Sequence, residues 1–182
     1  MEHFTAHRLR FVAQVQSTVE LNEHQGSAIR GALFHALRNR FCGLSRGGAR
    51  DGQDIAECAT CPLVATCPVA TLVGTLRPES GRGRDVPRPY TIQVANQRIS
   101  ESANRRGAEG GQESVRYEPE AQFEFGLTLY AQALQLFPYV VLAVGEFEQG
   151  GIGRRVRRPD GHWRRGTLAI QEVWADNPHR HR

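Results

Sequence analysis

GGIGRRVRRPDGHWRRG, residues 150–166, places six arginines and five glycines in seventeen positions. Such a stretch can be a solvated turn, a disordered tail or a loop that wraps a polyanion, and its flanks select among them. Upstream, PYVVLAVGEFEQ (138–149) is apolar and reads as a helix, with Pro138 tolerated in its first turn because the missing N–H is unpaired there anyway. Downstream, GTLAIQEVW (166–174) alternates Leu168 and Ile170 and reads as a strand. The stretch is therefore read as a loop joining a second helix to a last strand.

Further out, RLRFVAQVQ (8–16) sets Leu9, Phe11, Ala13 and Val15 on one face and polar residues on the other, the pattern of a half-buried strand. In the segment that follows, Ser27 is an N-cap candidate and Ile29, Leu33, Leu37 and Phe41 recur every four residues, which predicts a helix over about 28–41. PYTIQVANQ alternates Tyr90, Ile92 and Val94, and QFEFGLTLY alternates Phe123, Phe125, Leu127 and Leu129, giving two more strands. The order is βαββαβ, a ferredoxin-like (RRM-like) α+β arrangement. Residues 42–88 read as a cysteine-containing insertion after the first helix, with PVATLVGTL as a short helix within it. Residues 98–119 are polar and glycine-rich, the composition of a mobile loop. The aromatic residues Phe123 and Phe125 are assigned to the core, since packing claims such side chains first.

At 182 residues the chain, 1–182, is expected to form one domain. Its formal charge of +4 makes nucleic acid a reasonable partner without requiring one. All 23 basic residues are arginine. The N-terminus lacks a basic cap before an unbroken apolar run, so no signal peptide is read, and LFPYVVLAV (136–144) is far short of a membrane span. The expectation is a soluble, cytoplasmic protein with no membrane partner.

GALFHALR (31–38), the cysteine set, PRPYTIQ (87–93), FEFGLTLYAQAL (123–134), FPYVVLAV (137–144) and GGIGRRVRR (150–158) together resemble the RAMP superfamily of CRISPR-associated proteins. Within it the sequence is most similar to the branch of precursor-CRISPR-RNA processing endoribonucleases. The resemblance implies that Gly150, Gly151, Gly153, Arg154 and Arg155, continued by Arg157 and Arg158, form the family's glycine-rich loop, holding CRISPR repeat RNA or packing the fold. Glycines admit close approach of backbone amides to phosphate, and guanidinium forks supply paired donors. Trp163, Arg164 and Arg165 rest on charge and aromaticity alone as RNA contacts. The family's processing enzymes carry two ferredoxin-like units in tandem and this sequence spans one, which implies a fragment or one subunit of a larger machine.

Cutting RNA without a metal needs a base at the ribose 2′-OH, a donor for the leaving oxygen and cations at the phosphate. Histidine suits the first two roles, with an ordinary pKa of about 6.5. His24 precedes the first helix and His35 lies within it, off the Ile29–Leu33–Leu37 stripe and beside Gly31 and Asn39. The resemblance favours His35 as the catalytic group; the plain alternative is a surface or packing histidine. Arg30 and Arg38 are the nearby cations, since the lysine of some family sites has no counterpart here.

Cys42, Cys58, Cys61 and Cys67 include one C-x-x-C pair. Four thiolates suit tetrahedral zinc in a closed, structural site, and the resemblance implies such a shared site. Reduced thiols, a disulfide and an iron–sulfur cluster are the alternatives. Three functions stay open at this point. One is a metal-independent endoribonuclease that leaves a 2′,3′-cyclic phosphate. Another is a non-catalytic RAMP subunit holding CRISPR RNA among other effector subunits. The last is a zinc-stabilised module that binds protein.

Overall fold

The computed structural model describes residues 5–42, 61–73, 88–94, 103–106 and 114–176, with backbone alone at 103–106. The expected strands form and lie together. β1 (Ala6–Ser17), β3 (Tyr90–Val94), β6 (Gln122–Tyr130) and β8 (Trp163–Asp176) belong to a five-stranded antiparallel sheet in the order β3-β6-β1-β8-β7, where β7 is Ile152–Arg157. The alternation in β1 does what its period requires: Leu9, Phe11, Ala13 and Val15 are buried, opposite Leu127, Phe125, Phe123 and Leu168. Phe11 stacks on Phe125 with ring centroids 4.9 Å apart, and Phe123 meets Tyr117 edge-on at 5.1 Å. Both phenylalanines of β6 are thus core, as read.

α1 (Gln25–Phe41) covers this sheet with Ile29, Leu33 and Leu37. It begins earlier than Ser27, with His24 at the N-cap and no side-chain cap; the Ser27 N–H donates to the His24 carbonyl at 2.8 Å. Tertiary contact explains the three extra residues, because the Tyr117 hydroxyl donates to Gln25 Oε1 at 3.1 Å. The short helix expected in the 42–88 segment is α2 (Pro68–Val73), which buries Val69, Leu72 and Val73; most of the rest of that segment lies outside the described residues. The second helix arrives in three pieces. A 3₁₀ segment (Ala131–Leu136) leads into α3 (Phe137–Gly145), with Pro138 in its first turn, and α4 (Phe147–Gly150) completes it.

Two expectations are corrected. Residues 150–166 are not a simple loop but enter a β-hairpin: β7 pairs with β8 through Arg155↔Arg165, Val156↔Arg164 and Arg157↔Trp163. The 98–119 segment contains two strands, β4 (Ala103–Arg106) and β5 (Ser114–Tyr117), which join β2 (Val19–Asn22) in a second antiparallel sheet, β2-β5-β4. β5 carries one buried anchor, Tyr117, and tertiary pairing to β2 overrides its polar composition. The result is a mixed α/β fold on antiparallel sheets with more elements than βαββαβ. No described helix is long and apolar enough to cross a membrane.

Candidate nucleic-acid interface

The hairpin is built around backbone approach. Gly151 (φ +68°) and Gly153 (φ +80°) adopt the left-handed region that only glycine enters without strain. A Cβ on Gly151 would stand 2.8 Å from Arg165 Cβ, and one on Gly153 would run into the Glu20 carbonyl and Leu21 Cδ2. Gly166 sits equally close to the Thr18 carbonyl and to Val19. Gly151 thus packs β7 on β8, Gly153 packs β7 on β2 and Gly166 packs β8 on the β1–β2 connection, while Gly150 has open space at its Cβ position. The turn 158–162 is closed by Arg158 N–H to the His162 carbonyl at 2.8 Å and by the His162 N–H to Asp160 Oδ1 at 2.9 Å.

With its backbone held in this way, the hairpin turns a basic edge toward α1 and α4. A groove of about 1220 Å³ runs between them, walled by His35 and Asn39 of α1, Glu146 and Gln149, and Arg155, Arg158, Trp163, Arg164 and Arg165. Its two carboxylates are both engaged: Asp160 pairs with Arg164 at 3.2 Å, and Glu146 with Arg40. Trp163 is 64 % exposed, so its ring is offered to solvent and not to the core.

The cations differ in what they do. Arg158 is half-buried, and its Nη2 donates to Ser17 Oγ at 3.0 Å and to the Arg165 carbonyl at 3.1 Å, tying the turn to β1. Arg155 and Arg164 are exposed along the groove. Arg154 points elsewhere, lining a second, smaller pocket 3.9 Å from Glu20. Arg157 lines neither cavity.

His35 is exposed where the groove and the smaller pocket meet. Partial burial, then the charges of Arg165 and Arg38, hold its imidazole below the ordinary histidine pKa. It is therefore neutral at pH 7, the form that accepts a proton. His24 lies about three helical turns away, outside the groove and 3.4 Å from Glu23, so the two histidines do not share a site. Arg38 acts on His35 without lining the groove, and Arg30 acts on the Tyr90 hydroxyl, on the β3 side of α1.

Cys42 closes α1, its N–H donating to the Arg38 carbonyl at 3.0 Å, and Cys67 immediately precedes α2; both pack against the core. Cys61 is half-buried, and Cys58 lies outside the described residues. Among the described residues no group of three or more histidine, cysteine or acidic side chains is arranged around a common point.

A family model for an N-terminal domain, AF_1859_N, matches residues 4–182. The chain belongs to this family. No curated protein matches the AF_1859_N chain. Among solved structures, it is similar to the Csm3-Csm4 subcomplex of the type III-A CRISPR-Cas interference complex. There the TM-score is 0.50 and the identity 12 %, over 92 % of this chain and 76 % of the other. Csc2 of Thermofilum pendens matches with a TM-score of 0.41 and 11 % identity, over 94 % of this chain and 67 % of that one. The first likeness places the AF_1859_N domain in a fold found in a CRISPR-associated assembly, in line with the RAMP resemblance at the level of fold.

Of the residues singled out in the sequence, the groove brings together His35, Gly150, Gly151, Arg155, Arg158, Trp163, Arg164 and Arg165. It leaves out His24, Arg30, Arg38, Gly153, Arg154 and Arg157. Sequence reading missed Asn39, Gln149 and Ser17. Asn39 carried a usable signal, one turn beyond His35 on the same helix face; Ser17 and Gln149 carried none.

Proposed function

We propose that this protein binds single-stranded CRISPR repeat RNA along the groove between α1 and the β7–β8 hairpin. One observation carries the reading: Arg155, Arg164, Arg165 and the exposed Trp163 of the hairpin face His35 of α1 across one groove. Such a groove suits a single strand, with guanidinium groups following the phosphates and Trp163 stacking on a base. The resemblance to RAMP proteins, and the fold shared with a CRISPR-associated subcomplex, support CRISPR RNA as the ligand. The order of β3, β6, β1 and β8 in the sheet supports a ferredoxin-like core elaborated by β7 and by the second sheet.

In the catalytic version of this reading, neutral His35 takes the proton of a ribose 2′-OH. The 2′-oxygen attacks the adjacent phosphorus, the P–O5′ bond breaks with the leaving oxygen taking a proton from water, and the products are a 2′,3′-cyclic phosphate and a 5′-hydroxyl. Arg165, close enough to His35 to act on its charge, stabilises the extra negative charge on the phosphoryl oxygens. A histidine held neutral fits the base and not the acid. In the other version, the domain holds CRISPR RNA within an effector assembly and does not cut.

Incubating the protein with repeat RNA in EDTA separates the two. Cleavage to a cyclic phosphate that His35→Ala abolishes supports the enzyme. Intact RNA, bound with an affinity that falls as salt rises, supports the holder. Absence of salt-dependent binding sinks both and leaves the protein-interaction module.

Zinc held by Cys42, Cys58, Cys61 and Cys67 is proposed as a structural staple. Four thiolates, two of them in a C-x-x-C pair, suit a tetrahedral zinc site and support this reading. A metal content near zero in protein purified without chelator would remove zinc from the reading.

A further inference from the structure

Behind His35 lies the second pocket, about 290 Å³, lined by Asn22 of β2, Ser27 and Gly31 of α1, His35, Arg154 and Arg165, with Glu20 beside Arg154. His35 and Arg165 also line the groove, so the two spaces share a wall. Two features of this pocket lack a structural reason. Asn22 Oδ1 is buried with no hydrogen-bond partner among the described residues, a condition that destabilises a fold by about 1–3 kcal/mol. Gly31 stands in the middle of α1, where glycine is less favourable than alanine by about 1 kcal/mol, yet a Cβ there would touch nothing within 4 Å. Neither a turn nor close packing calls for that glycine. It leaves space, and the space adjoins an unsatisfied acceptor.

We propose that this pocket takes one unpaired nucleotide of the bound RNA. The base enters over Gly31 and donates a ring or exocyclic N–H to Asn22 Oδ1, while Arg154 and Arg165 hold the phosphate that follows it. His35 then stands at the junction of the captured nucleotide and the strand in the groove. The proposal rests on the RNA-binding reading above and adds to it a place where an individual base is read.

The test titrates the whole chain with AMP, CMP, GMP and UMP, and separately with ribose 5-phosphate, following the Asn22 side-chain amide and the His35 imidazole by NMR. At least one nucleotide is expected to shift both signals, with ribose 5-phosphate about ten-fold weaker or more. A Cβ at Gly31 has nothing within 4 Å, so Gly31→Leu, which puts its side chain into the pocket, should fold, keep its thermal midpoint and lose the nucleotide response. Asn22→Leu should lose it as well. The pocket assignment is overturned if ribose 5-phosphate matches the nucleotides, or if Gly31→Leu still binds them. A parallel titration with a labelled single-stranded RNA keeps the two readings apart. RNA that binds while mononucleotides do not sinks the pocket alone, whereas RNA that fails to bind sinks the groove and the pocket together.

Discussion

Along the β7–β8 hairpin, Gly151, Gly153 and Gly166 face inward against β8, β2 and the β1–β2 connection, whereas Arg155, Trp163 and Arg164 face the groove. In the sequence the two sets are interleaved and read as one motif. In the fold they are two surfaces with different duties. Glycines next to arginines suggest amides cradling phosphate, yet here the backbone that they admit is the protein's own. The lesson is that glycine in a basic stretch supports anion binding only when its Cβ position opens on solvent, as at Gly150 and Gly161. Stability and RNA affinity should therefore respond to different substitutions.

The widest separation is expected at Gly166. Gly166→Val drives a branched side chain into the Thr18 carbonyl and Val19, and should cost about 3 kcal/mol, the upper end for overpacking. In thermal melts that is a fall of roughly 10 °C for a domain of this size. A melt unchanged by Gly166→Val would break the distinction. On the other surface, Trp163→Ala should weaken single-stranded RNA binding by about 1–3 kcal/mol through lost stacking, with no change in the melt. Fluorescence anisotropy against the same RNA reads the first quantity, and calorimetry the second.

Arg158 sharpens the comparison because it is an arginine on the glycines' side of the division. Its hydrogen bonds to Ser17 and to the Arg165 carbonyl predict that Arg158→Ala lowers stability by about 1–2 kcal/mol. A loss of affinity without a loss of stability would move it to the RNA surface. The smallest effect is a matter of pH. In the catalytic version of the proposed function a base works when neutral, so cleavage should rise with pH through the His35 pKa, with the rise centred below the ordinary histidine value. Arg165→Gln removes one charge that holds this pKa down and should move the rise to higher pH. Burial, the larger cause, remains, so the rise should stay below the ordinary value. A pH–kcat/KM profile that keeps its position in Arg165→Gln would detach Arg165 from His35.

The same contrast explains what could be read from the residues. β1, β3, β6 and β8 were legible because their apolar residues alternate, and α1 because Ile29, Leu33 and Leu37 return to one face. β7 was not, since Ile152 alone is buried in it and the arginines of an edge strand look like a charged loop. β4 and β5 were hidden for a similar reason: ANRR and SVRY are polar, and their pairing depends on β2, far away in sequence. His35 could be picked out as off the apolar stripe. Its neighbours in the groove come from the hairpin, from the turn before α4 and from the end of β1, and no local pattern announces that they meet. Asn22 is the extreme case, because what marks it is a missing hydrogen bond.

The glycine contacts of the hairpin carry one more consequence, for the rate and entropy of recognition. A basic loop that is disordered until its ligand arrives must give up conformational freedom on binding, which erodes affinity and makes capture depend on a folding step. Here that freedom has been surrendered when the chain folds, at Gly151, Gly153 and Gly166, so the guanidinium groups wait on a fixed strand. Association should then be set by diffusion and charge, with rate constants that fall as ionic strength rises, and dissociation should follow the stacking on Trp163.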